Sequence, residues 1–355
     1  MMTSFLSPYM ALFVLLAVLI YPYQRLDEKR RRLVIIVCLL LLVAFFGLHG
    51  RVGDDYDIYL SYYEMPPLSL SKLLTFEVGF CAFTSFFKLL GFSFAFFLLV
   101  YACLINTLLV RFCIQMKENV PLMLCIFMAT GGVASEMNFL RSTVALMLFV
   151  NSLVFLRDRK PLPFVLINAV GILFHYSSLL YLPCYFFLHR RIPPTVLWVV
   201  LAVAAIAFPF HLPFLEFIPP LADALGLESL QHFAQYVIVP GHHPLGFTTG
   251  LMERLLTAFA VCYFYDNLTK TPLQRIAVNA FVAYFLFYSL LSGYALLATR
   301  FGNMFVFAYW LLWPILLRQL DGWKRYAVAA LMFLYMGLRI ASIATHPQWH
   351  YVLYS

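Results

Sequence analysis

The sequence FSFAFFLLVYACLINTLLV, residues 92–110, contains no charged side chain and is long enough to cross a bilayer as one helix, for which about 20 apolar residues suffice. Similar runs recur along the 355 residues, of which 63% are hydrophobic and 11% charged, and the mean hydropathy is +0.87. The short alternating segments of a transmembrane β-barrel do not occur in the sequence. The composition therefore predicts an all-α, polytopic integral membrane protein.

Much of the basic charge lies in short clusters between the apolar runs. The chain has 24 Lys and Arg against 16 Asp and Glu, which gives a net charge of +8. Because cytoplasmic loops are enriched in Lys and Arg, we interpret the clusters as cytoplasmic and do not expect a nucleic-acid partner. The clusters are Arg25 with residues 29–32, Arg111 with Lys117, Arg157 with Arg159 and Lys160, Arg190 with Arg191, Lys270 with Arg275, and Arg318 with Lys324 and Arg325.

Placing these basic clusters in the cytoplasm defines the membrane-crossing segments. The first run is predicted to be a retained helix and not a signal peptide, because no basic residue precedes it. Residues 73–91 are apolar but carry Glu77 and Lys88, and a crossing there would move the next basic cluster outside. We expect a re-entrant or interfacial helix at this position. The full crossings are predicted near residues 5–22, 33–49, 92–110, 121–139, 141–156, 195–217, 251–265, 276–298, 301–317 and 326–344.

Residues 162–188 are too short for a simple pair of crossings. They lie between two cytoplasmic clusters and number 27, whereas two full crossings need about 40 residues. Two short tilted helices that meet near His175, Tyr176, Ser177 and Ser178 would satisfy both constraints. Irregular backbone at this depth must be buried in protein or line a wet cavity, so His175 is not expected to face lipid. The whole fold then has about 11–12 transmembrane segments.

The remaining segments are predicted to lie outside the cell membrane. Residues 50–72 and 218–250 form long external loops, and an external tail begins at Thr345. His242 and His243 belong to the second loop and are interpreted as loop residues. We expect residues 1–355 to form a single membrane domain. The seven cysteines lie mostly in apolar runs without zinc-ligand spacing, so neither a disulfide nor a structural metal is predicted.

Ionisable residues in membrane segments are candidates for function, and structural ion pairs between helices are the alternative. The predicted topology places one set of them on the outer side or in the outer half of the membrane. These residues are Arg51, Asp54, Asp55, Glu77, Glu136, Arg141, His175, Glu253, Arg254 and Arg300.

Arg141 and Arg300 each lie where two apolar runs meet at the predicted outer surface. A guanidinium presents a planar fork of donors that matches phosphate oxygens, so each is a candidate anion clamp. A side chain that snorkels to the interface is the alternative. Asn138 lies three residues before Arg141, on the same helix face. External loops have no topological need for positive charge, so these arginines and Arg51 indicate a polyanionic ligand at the outer leaflet.

Two further residues have both a structural and a catalytic interpretation. His175 either bridges helices by hydrogen bonds or, beside a helix break, serves as a phosphate donor or proton carrier. Glu77, followed by Gly79 in an apolar run, is expected to face protein or a cavity and to have a raised pKa suited to base catalysis.

The segment after the second apolar run combines acidic and aromatic residues. Asp54 and Asp55 favour turns and helix N-caps, so they cap a loop if they have no further role. Tyr56 and Tyr59 share one face of a helix that begins here, and part of this pattern is an aromatic belt at the membrane interface.

Residues 51–59, RVGDDYDIY, are similar to the arginine and VG-x-DY-x-x-Y signature of the EpsG family of bacterial exopolysaccharide membrane proteins, which are Wzy-like polysaccharide polymerases. Ser142 and Tyr176 depart from the family, which commonly has a Gln and a basic residue at these positions. Further similar segments follow in the family's order: EVGF at 77–80, NFLR at 138–141 with Ala145, FHYSSL at 174–179, and RF at 300–301 with the apolar run to Pro314.

The resemblance implies a GT-C-like fold in the bacterial inner membrane, with the active site facing the periplasm or cell exterior. The implied activity is that of a metal-independent glycosyltransferase without a cofactor. It would transfer a growing glycan from undecaprenyl pyrophosphate to a second lipid-linked repeat unit. The implied partners are the lipid-linked oligosaccharide and the bilayer, with a chain-length regulator and a flippase as further candidates.

Each candidate residue has an expected role in this reaction. Arg141 and Arg300, with His175, would bind the pyrophosphate and neutralise its developing charge. Asp55 or Glu77 would accept the proton of the attacking hydroxyl group. The residues expected to bind sugar or position the acceptor are Arg51, Asp54, Tyr56, Tyr59 and Asn138.

Three alternative functions have different sequence requirements. A transporter or flippase for lipid-linked sugars also uses intramembrane Arg and His with broken helices, but polar residues should then follow the whole crossing. A glycan acyltransferase needs an activated nucleophile or a His–Asp constellation, and the sequence shows no strong one. A non-catalytic scaffold of an export machine would tolerate loss of every external arginine.

Overall fold

The computed structural model describes residues 7–213, 215–226, 231, 234–235, 237 and 244–354. The described chain is built from α-helices with short 3-10 and π-helical turns, which confirms the all-α fold class. His242 and His243 lie outside the described residues. The chain forms two compact units, Met1–Phe187 with Leu320–Ser355, and Leu188–Gln319. The single membrane domain stays a prediction.

The first unit contains most of the helices. They are α1 (Pro8–Val18), α2 (Ile20–Arg25), α3 (Glu28–Gly47), α4 (Tyr56–Glu64), α5 (Leu70–Thr75), α6 (Val78–Leu89), α7 (Phe94–Gln115), α8 (Val120–Phe127), α9 (Val133–Met137), α10 (Leu140–Arg157), α11 (Pro161–Phe174), α12 (Cys184–Phe187) and, at its C-terminal end, the helix Gly322–Ile343.

The second unit follows the same pattern of apolar helices joined by short turns. Its helices are α13 (Pro194–Phe210), α14 (Ile218–Leu225), α15 (Thr249–Tyr263), α16 (Tyr265–Leu268), α17 (Pro272–Leu290), α18 (Ala295–Phe305) and α19 (Phe307–Leu317). The helix Gly322–Ile343 of the first unit is then α20.

Within the described residues, five helical stretches are long and apolar enough to cross a membrane, and the bent pair α18 and α19 adds a sixth if it counts as one span. The five are Phe94–Gln115, Val120–Met137, Leu140–Arg157, Pro272–Leu290 and Gly322–Ile343. The polytopic membrane class is therefore confirmed. The count of about 11–12 crossings includes shorter and broken helices and stays a prediction.

The core of the first unit is formed by helices that pack closely along their length. α3 packs on α7, and α10 packs on α11. Gly47 permits the first contact, because a Cβ atom there would lie 3.0 Å from the Cα atom of Leu99. Phe149 of α10 is fully buried against Phe164 of α11, and Phe97 of α7 is fully buried against rings of α4 and α6. Close approach and large apolar side chains together fill the interior at high density.

Two interruptions of helical geometry shape this unit. Between α8 and α9, Met128–Gly132 form a π-helical turn in which Gly131 has a φ of +119°. The other interruption follows α11, where His175 is extended and a 3-10 helix, Tyr176–Tyr181, begins. The predicted helix break at His175 is thus confirmed. It arises because α11 ends one residue earlier, at Phe174.

The segment predicted as an external loop, residues 50–72, contains two helices, α4 and the start of α5. Its first part is held by the C-terminal tail. The Gly50 and Gly53 amides donate to the carbonyl groups of Val352 and Gln348 at 2.7 and 2.8 Å, and the Tyr354 amide donates to Leu48 at 2.9 Å. The tail therefore orders the loop through backbone hydrogen bonds, which no local sequence pattern indicates.

Candidate active site

Glu77 is the centre of a polar cluster in the first unit. Its Oε2 accepts a hydrogen bond from Arg141 Nη1 at 2.5 Å, and its Oε1 lies 3.0 Å from His175 Nδ1 and accepts from the Tyr176 amide at 3.2 Å. The Glu77 side chain is 4% exposed, whereas Arg141 and His175 are 23% and 25% exposed. The carboxylate of the cluster is thus sealed from solvent, whereas its two partner side chains remain partly exposed.

The local chain geometry explains how these residues meet. Glu77 precedes the first residue of α6, and Gly79 lies on the face of α6 that contacts α11. A Cβ atom at Gly79 would lie 2.7 Å from the Leu173 carbonyl oxygen, so only glycine allows this approach. Because α11 ends at Phe174, His175 turns out of the helix toward Glu77. A small residue and a helix break therefore bring two distant motifs together.

The expected raised pKa of Glu77 is wrong. Burial by itself raises the pKa of this carboxyl group, but the hydrogen bond from His175 and the positive charge of Arg141 outweigh it. Together with the backbone contact they lower the pKa of Glu77 from 4.5 to about 2. A carboxylate with this pKa is a weak base, and its geometry suits it to orient the side chains of Arg141 and His175.

Arg141 also contacts aromatic side chains. Its guanidinium carbon lies 3.8 Å from the centre of the Phe76 ring, and the guanidinium interacts with the Tyr59 hydroxyl group. The Nε atom of Arg141 is buried without a hydrogen-bond partner among the described residues. Stacking fixes the plane of the guanidinium, so its remaining donors keep a defined direction.

Asn138 connects the helix break before α10 to the acidic loop. Its Nδ2 donates to Asp54 Oδ2 at 3.2 Å, and its Oδ1 lies 3.5 Å from the Asp55 amide. Gly53 has a φ of +87°, and a Cβ atom there would lie 2.1 Å from Asn138 Oδ1. The asparagine amide therefore fits against a loop that requires glycine. This contact holds both aspartates beside the start of α10, which carries Arg141.

The remaining predicted site residues of the first unit have different environments. Tyr56 and Tyr59 are 8% and 6% exposed, and their rings pack against aromatic neighbours such as Phe94 and Phe80. Arg51 is exposed and forms an ion pair with Asp57. The burial of the two tyrosines favours packing over direct sugar contact. Sugar binding by these residues stays a prediction.

The second unit contains Arg300 and a further arginine cluster. Arg300 lies exposed on α18, in a different unit from Arg141 and His175, so its convergence with them stays a prediction. Arg254, on α15, donates through Nη2 to the Tyr284 hydroxyl at 2.5 Å, and its guanidinium carbon lies 3.8 Å from the centre of the Tyr288 ring. The sequence marked Arg254 as an outer ionisable residue but gave no signal of these aromatic partners.

The sequence likewise marked Glu136 as an outer ionisable residue but gave no signal of its buried partner Asn106. Asn106 Nδ2 donates to Glu136 Oε2 at 2.9 Å, and both side chains are buried. In the described part of the chain, no group of three or more His, Cys, Asp or Glu side chains is arranged to hold a metal ion.

These features define the class of the protein as an all-α, polytopic membrane protein with a half-buried Glu–Arg–His centre. A family model described as EpsG family matches residues 31–354, nearly the whole chain. The chain belongs to the EpsG family, and membership indicates a polysaccharide polymerase-like role in the membrane. No curated protein and no solved structure matches the chain significantly.

Proposed function

We propose that the protein is a glycosyltransferase that polymerises lipid-linked repeat units at the outer face of the bacterial inner membrane. The donor is a glycan on undecaprenyl pyrophosphate, and the acceptor is a second lipid-linked unit. The observation that carries this proposal is the Glu77 carboxylate holding Arg141 and His175 with their donors toward an open side. Two oriented donors with partial exposure suit the oxygens of a pyrophosphate leaving group.

The proposed step is a displacement at the anomeric carbon of the donor. The hydroxyl oxygen of the acceptor sugar forms the new bond to this carbon, and the bond from the carbon to the pyrophosphate oxygen breaks. Arg141 and His175 stabilise the negative charge that develops on the pyrophosphate. Undecaprenyl pyrophosphate leaves with the bonding electrons, so the elongated glycan remains on the acceptor lipid.

The proton of the attacking hydroxyl group is assigned to Asp55 and not to Glu77. The lowered pKa of Glu77 makes it a weak base, and both of its oxygens already accept hydrogen bonds. Asp55 lies on the loop that Asn138 holds beside the start of α10. Glu77 becomes a positioning residue, and Asp54 and Arg51 order the same loop. Arg300 is proposed as a second ligand of the pyrophosphate.

The cellular setting belongs to the same proposal. The lipid carrier, the outer orientation of the site and the absence of a metal requirement follow from the family resemblance and the positive-inside topology. A flippase would supply the lipid-linked unit, and a chain-length regulator would limit the product. These are candidate partners of the polymerase.

The test is reconstitution of the purified protein with a purified lipid-linked repeat unit, followed by separation of the lipid-linked products by length. We expect a ladder of longer products from the wild type. Arg141→Ala should reduce the yield by roughly 100- to 1,000-fold, the range for loss of a preorganised donor. Arg157→Ala is the matched control, because Arg157 lies at the other end of α10 and pairs with Asp158.

Two experimental outcomes would contradict different parts of the proposal. Long polymer from Arg141→Ala at normal protein level would contradict the role of Arg141. A wild type that moves the lipid-linked unit across the bilayer without extending it would contradict the polymerase and favour the flippase alternative.

A further inference from the structure

A cleft lies in the first unit, between the π-helical turn after α8 and the C-terminal end of α20. Its volume is about 210 Å³. The residues that line it include Gly131 and Ala134 on one side and Arg339, Ser342, His346 and Trp349 on the other. Typical ligand pockets have volumes of about 300–1,000 Å³. The cleft is therefore suited to a small head group and leaves an oligosaccharide outside.

The cleft exists because the helix between α8 and α9 is interrupted. Thr130 and Gly131 leave helical geometry, with a φ of −104° and +119°, respectively. The residues of this segment that face the cleft, including Gly131 and Ala134, have small side chains or none. The turn packs against α20, and because no large side chain of the turn enters the space between them, a cleft remains. Such interruptions of a helix occur frequently at functional sites.

The wall formed by α20 and the tail is cationic. Arg339 and His346 line the cleft, and no carboxylate does so among the described residues. Within the described part of the chain, neither side chain makes a hydrogen bond or ion pair. A snorkelling arginine would explain one basic residue near a helix end. It does not explain an arginine and a histidine lining one cleft at the predicted outer surface, where topology needs no positive charge.

An apolar stripe continues from the cleft along α20. Leu331, Leu334 and Leu338 are 66%, 61% and 53% exposed. They are spaced by three and four residues, and Ser342, which lines the cleft, continues the same helix face. A cationic cleft at the end of an exposed apolar stripe matches an amphiphile with an anionic head and a long hydrocarbon chain.

The cleft is connected to the candidate active site by two short paths. α9, which carries Ala134, leads directly to Asn138 and then to Arg141. In the tail, Gln348 lies between His346 and Trp349 of the cleft and accepts the hydrogen bond from the Gly53 amide. The helix break at Asn138 is therefore joined along the chain to Arg141 on one side and to the cleft wall on the other, and the loop at Gly53 is hydrogen-bonded to the tail that lines the cleft.

We propose that this cleft binds the pyrophosphate of the acceptor, the second lipid-linked substrate, while Arg141 and His175 bind the pyrophosphate of the donor. Arg339 and His346 hold the acceptor's anionic head, and its isoprenoid chain lies along the leucine stripe of α20. The sugar of the acceptor then extends toward the loop that carries Asp55. The substrate assignment rests on the proposed polymerase function.

The test is a binding measurement on the full-length protein in detergent, with undecaprenyl pyrophosphate as the probe and native mass spectrometry as the readout. We expect two bound molecules in the wild type. The double variant Arg339→Gln/His346→Gln should bind one of them at least about tenfold more weakly, as expected for loss of charge-assisted hydrogen bonds. Arg141→Gln should weaken the other site, and combining the three substitutions should weaken both.

Matched controls separate loss of the site from loss of the fold. Arg325→Gln removes a charge from the opposite end of α20 and should leave both affinities unchanged. Arg339→Lys keeps the charge but removes the guanidinium fork, so its affinity should be intermediate. Elution volume and thermal unfolding should match the wild type for each variant.

Competition distinguishes the possible sources of the anionic group. Phosphatidylglycerol and inorganic pyrophosphate should compete weakly at the cleft, because each lacks one half of the polyprenyl pyrophosphate. Full displacement by phosphatidylglycerol at equal concentration would overturn the assignment to an acceptor substrate. Unchanged binding of two molecules by the double variant would overturn the site itself. Because binding is measured without turnover, an inactive wild type that binds two molecules would contradict the polymerase and leave the anionic-lipid site standing.

Discussion

Two arginines of this protein are held inside their units by different kinds of partner. Arg141 donates to a carboxylate, that of Glu77, which also engages His175. Arg254 donates to a phenol, that of Tyr284, and stacks on Tyr288. A carboxylate fixes both the direction and the charge of its partner, whereas phenols and rings fix the direction and leave the positive charge in place.

This difference assigns the two clusters different tasks. Around Glu77, one carboxylate coordinates two donors from separate helices, so a small displacement changes both. Around Arg254, the aromatic contacts come from Tyr284 and Tyr288 of one helix, α17, and act mainly through packing. We therefore expect the chemistry to be sensitive to substitutions at the first cluster and the stability of the second unit to be sensitive to substitutions at the second.

The largest difference in the free energy of unfolding is expected between the variants Glu77→Gln and Tyr284→Phe. Removing one partner of a fully buried pair costs roughly 3–5 kcal/mol. Because Arg141 and His175 are 23% and 25% exposed, we expect Glu77→Gln to lower the free energy of unfolding by about 2 kcal/mol. Tyr284→Phe removes a single hydrogen bond and should cost about 1 kcal/mol.

Unfolding in detergent measures both losses, and polymer yield per folded protein measures the functional effect. Glu77→Gln should reduce the yield at least about tenfold, because Arg141 and His175 lose their common anchor. Tyr284→Phe should leave it unchanged. Equal losses of activity in the two variants would contradict the division of tasks between the clusters.

A smaller difference in stability is expected between alanine substitutions at two glycines. A Cβ atom at Gly79 would lie 2.7 Å from a backbone oxygen of Leu173, whereas one at Gly302 would lie 3.3 Å from the Tyr284 ring. A ring can move by a few tenths of an ångström, but the end of a packed helix cannot do so freely. We expect Gly79→Ala to cost about 1–3 kcal/mol and Gly302→Ala less than about 1 kcal/mol.

The measurements for the two glycine variants are thermal unfolding and polymer yield. Gly79→Ala should also lower activity, because it separates Glu77 from His175 without changing either residue. A larger loss of stability from Gly302→Ala would show that the approach of α6 to α11 is not the tighter constraint.

The smallest expected effect is that of pH on the stability of the folded state. The pKa of Glu77 is lowered from 4.5 to about 2, so its carboxylate stabilises the folded state fully above about pH 4.5. This contribution is lost as the pH falls through 2. Between pH 5 and 8, the stability that the wild type gains over Glu77→Gln should therefore not increase with pH, as measured by unfolding at each pH. A difference that grew from pH 5 to pH 8 would contradict the lowered pKa.

Much of the fold follows directly from the sequence. Long apolar runs predict the spanning helices, and the shortness of residues 162–188 predicts the break that the structure shows at His175. These features depend on length and local composition. The family motifs also mark Glu77, Arg141 and His175, although they do not indicate that the three residues touch.

The contacts that the sequence could not predict depend on distant parts of the chain. The position of Glu77 in an apolar run suggested that burial raises its pKa. The hydrogen-bond donors that lower this pKa instead come from α10 and from the residues after α11. The π-helical turn at Gly131 and the cleft beside it need α20, more than 180 residues later. No local sequence pattern predicts a contact between segments so far apart in the chain.

The hydrogen bonds between the tail and the loop at residues 48–53 also set an order of assembly during biosynthesis. The Gly50 and Gly53 amides bond to Val352 and Gln348, which leave the ribosome after every membrane helix of the described chain. The loop with Asp54 and Asp55 therefore acquires its final form only when synthesis has reached these two residues. A nascent chain that has inserted these helices but has not yet reached residues 348–352 would still lack the hydrogen bonds that hold the loop, so the loop becomes ordered after the helices.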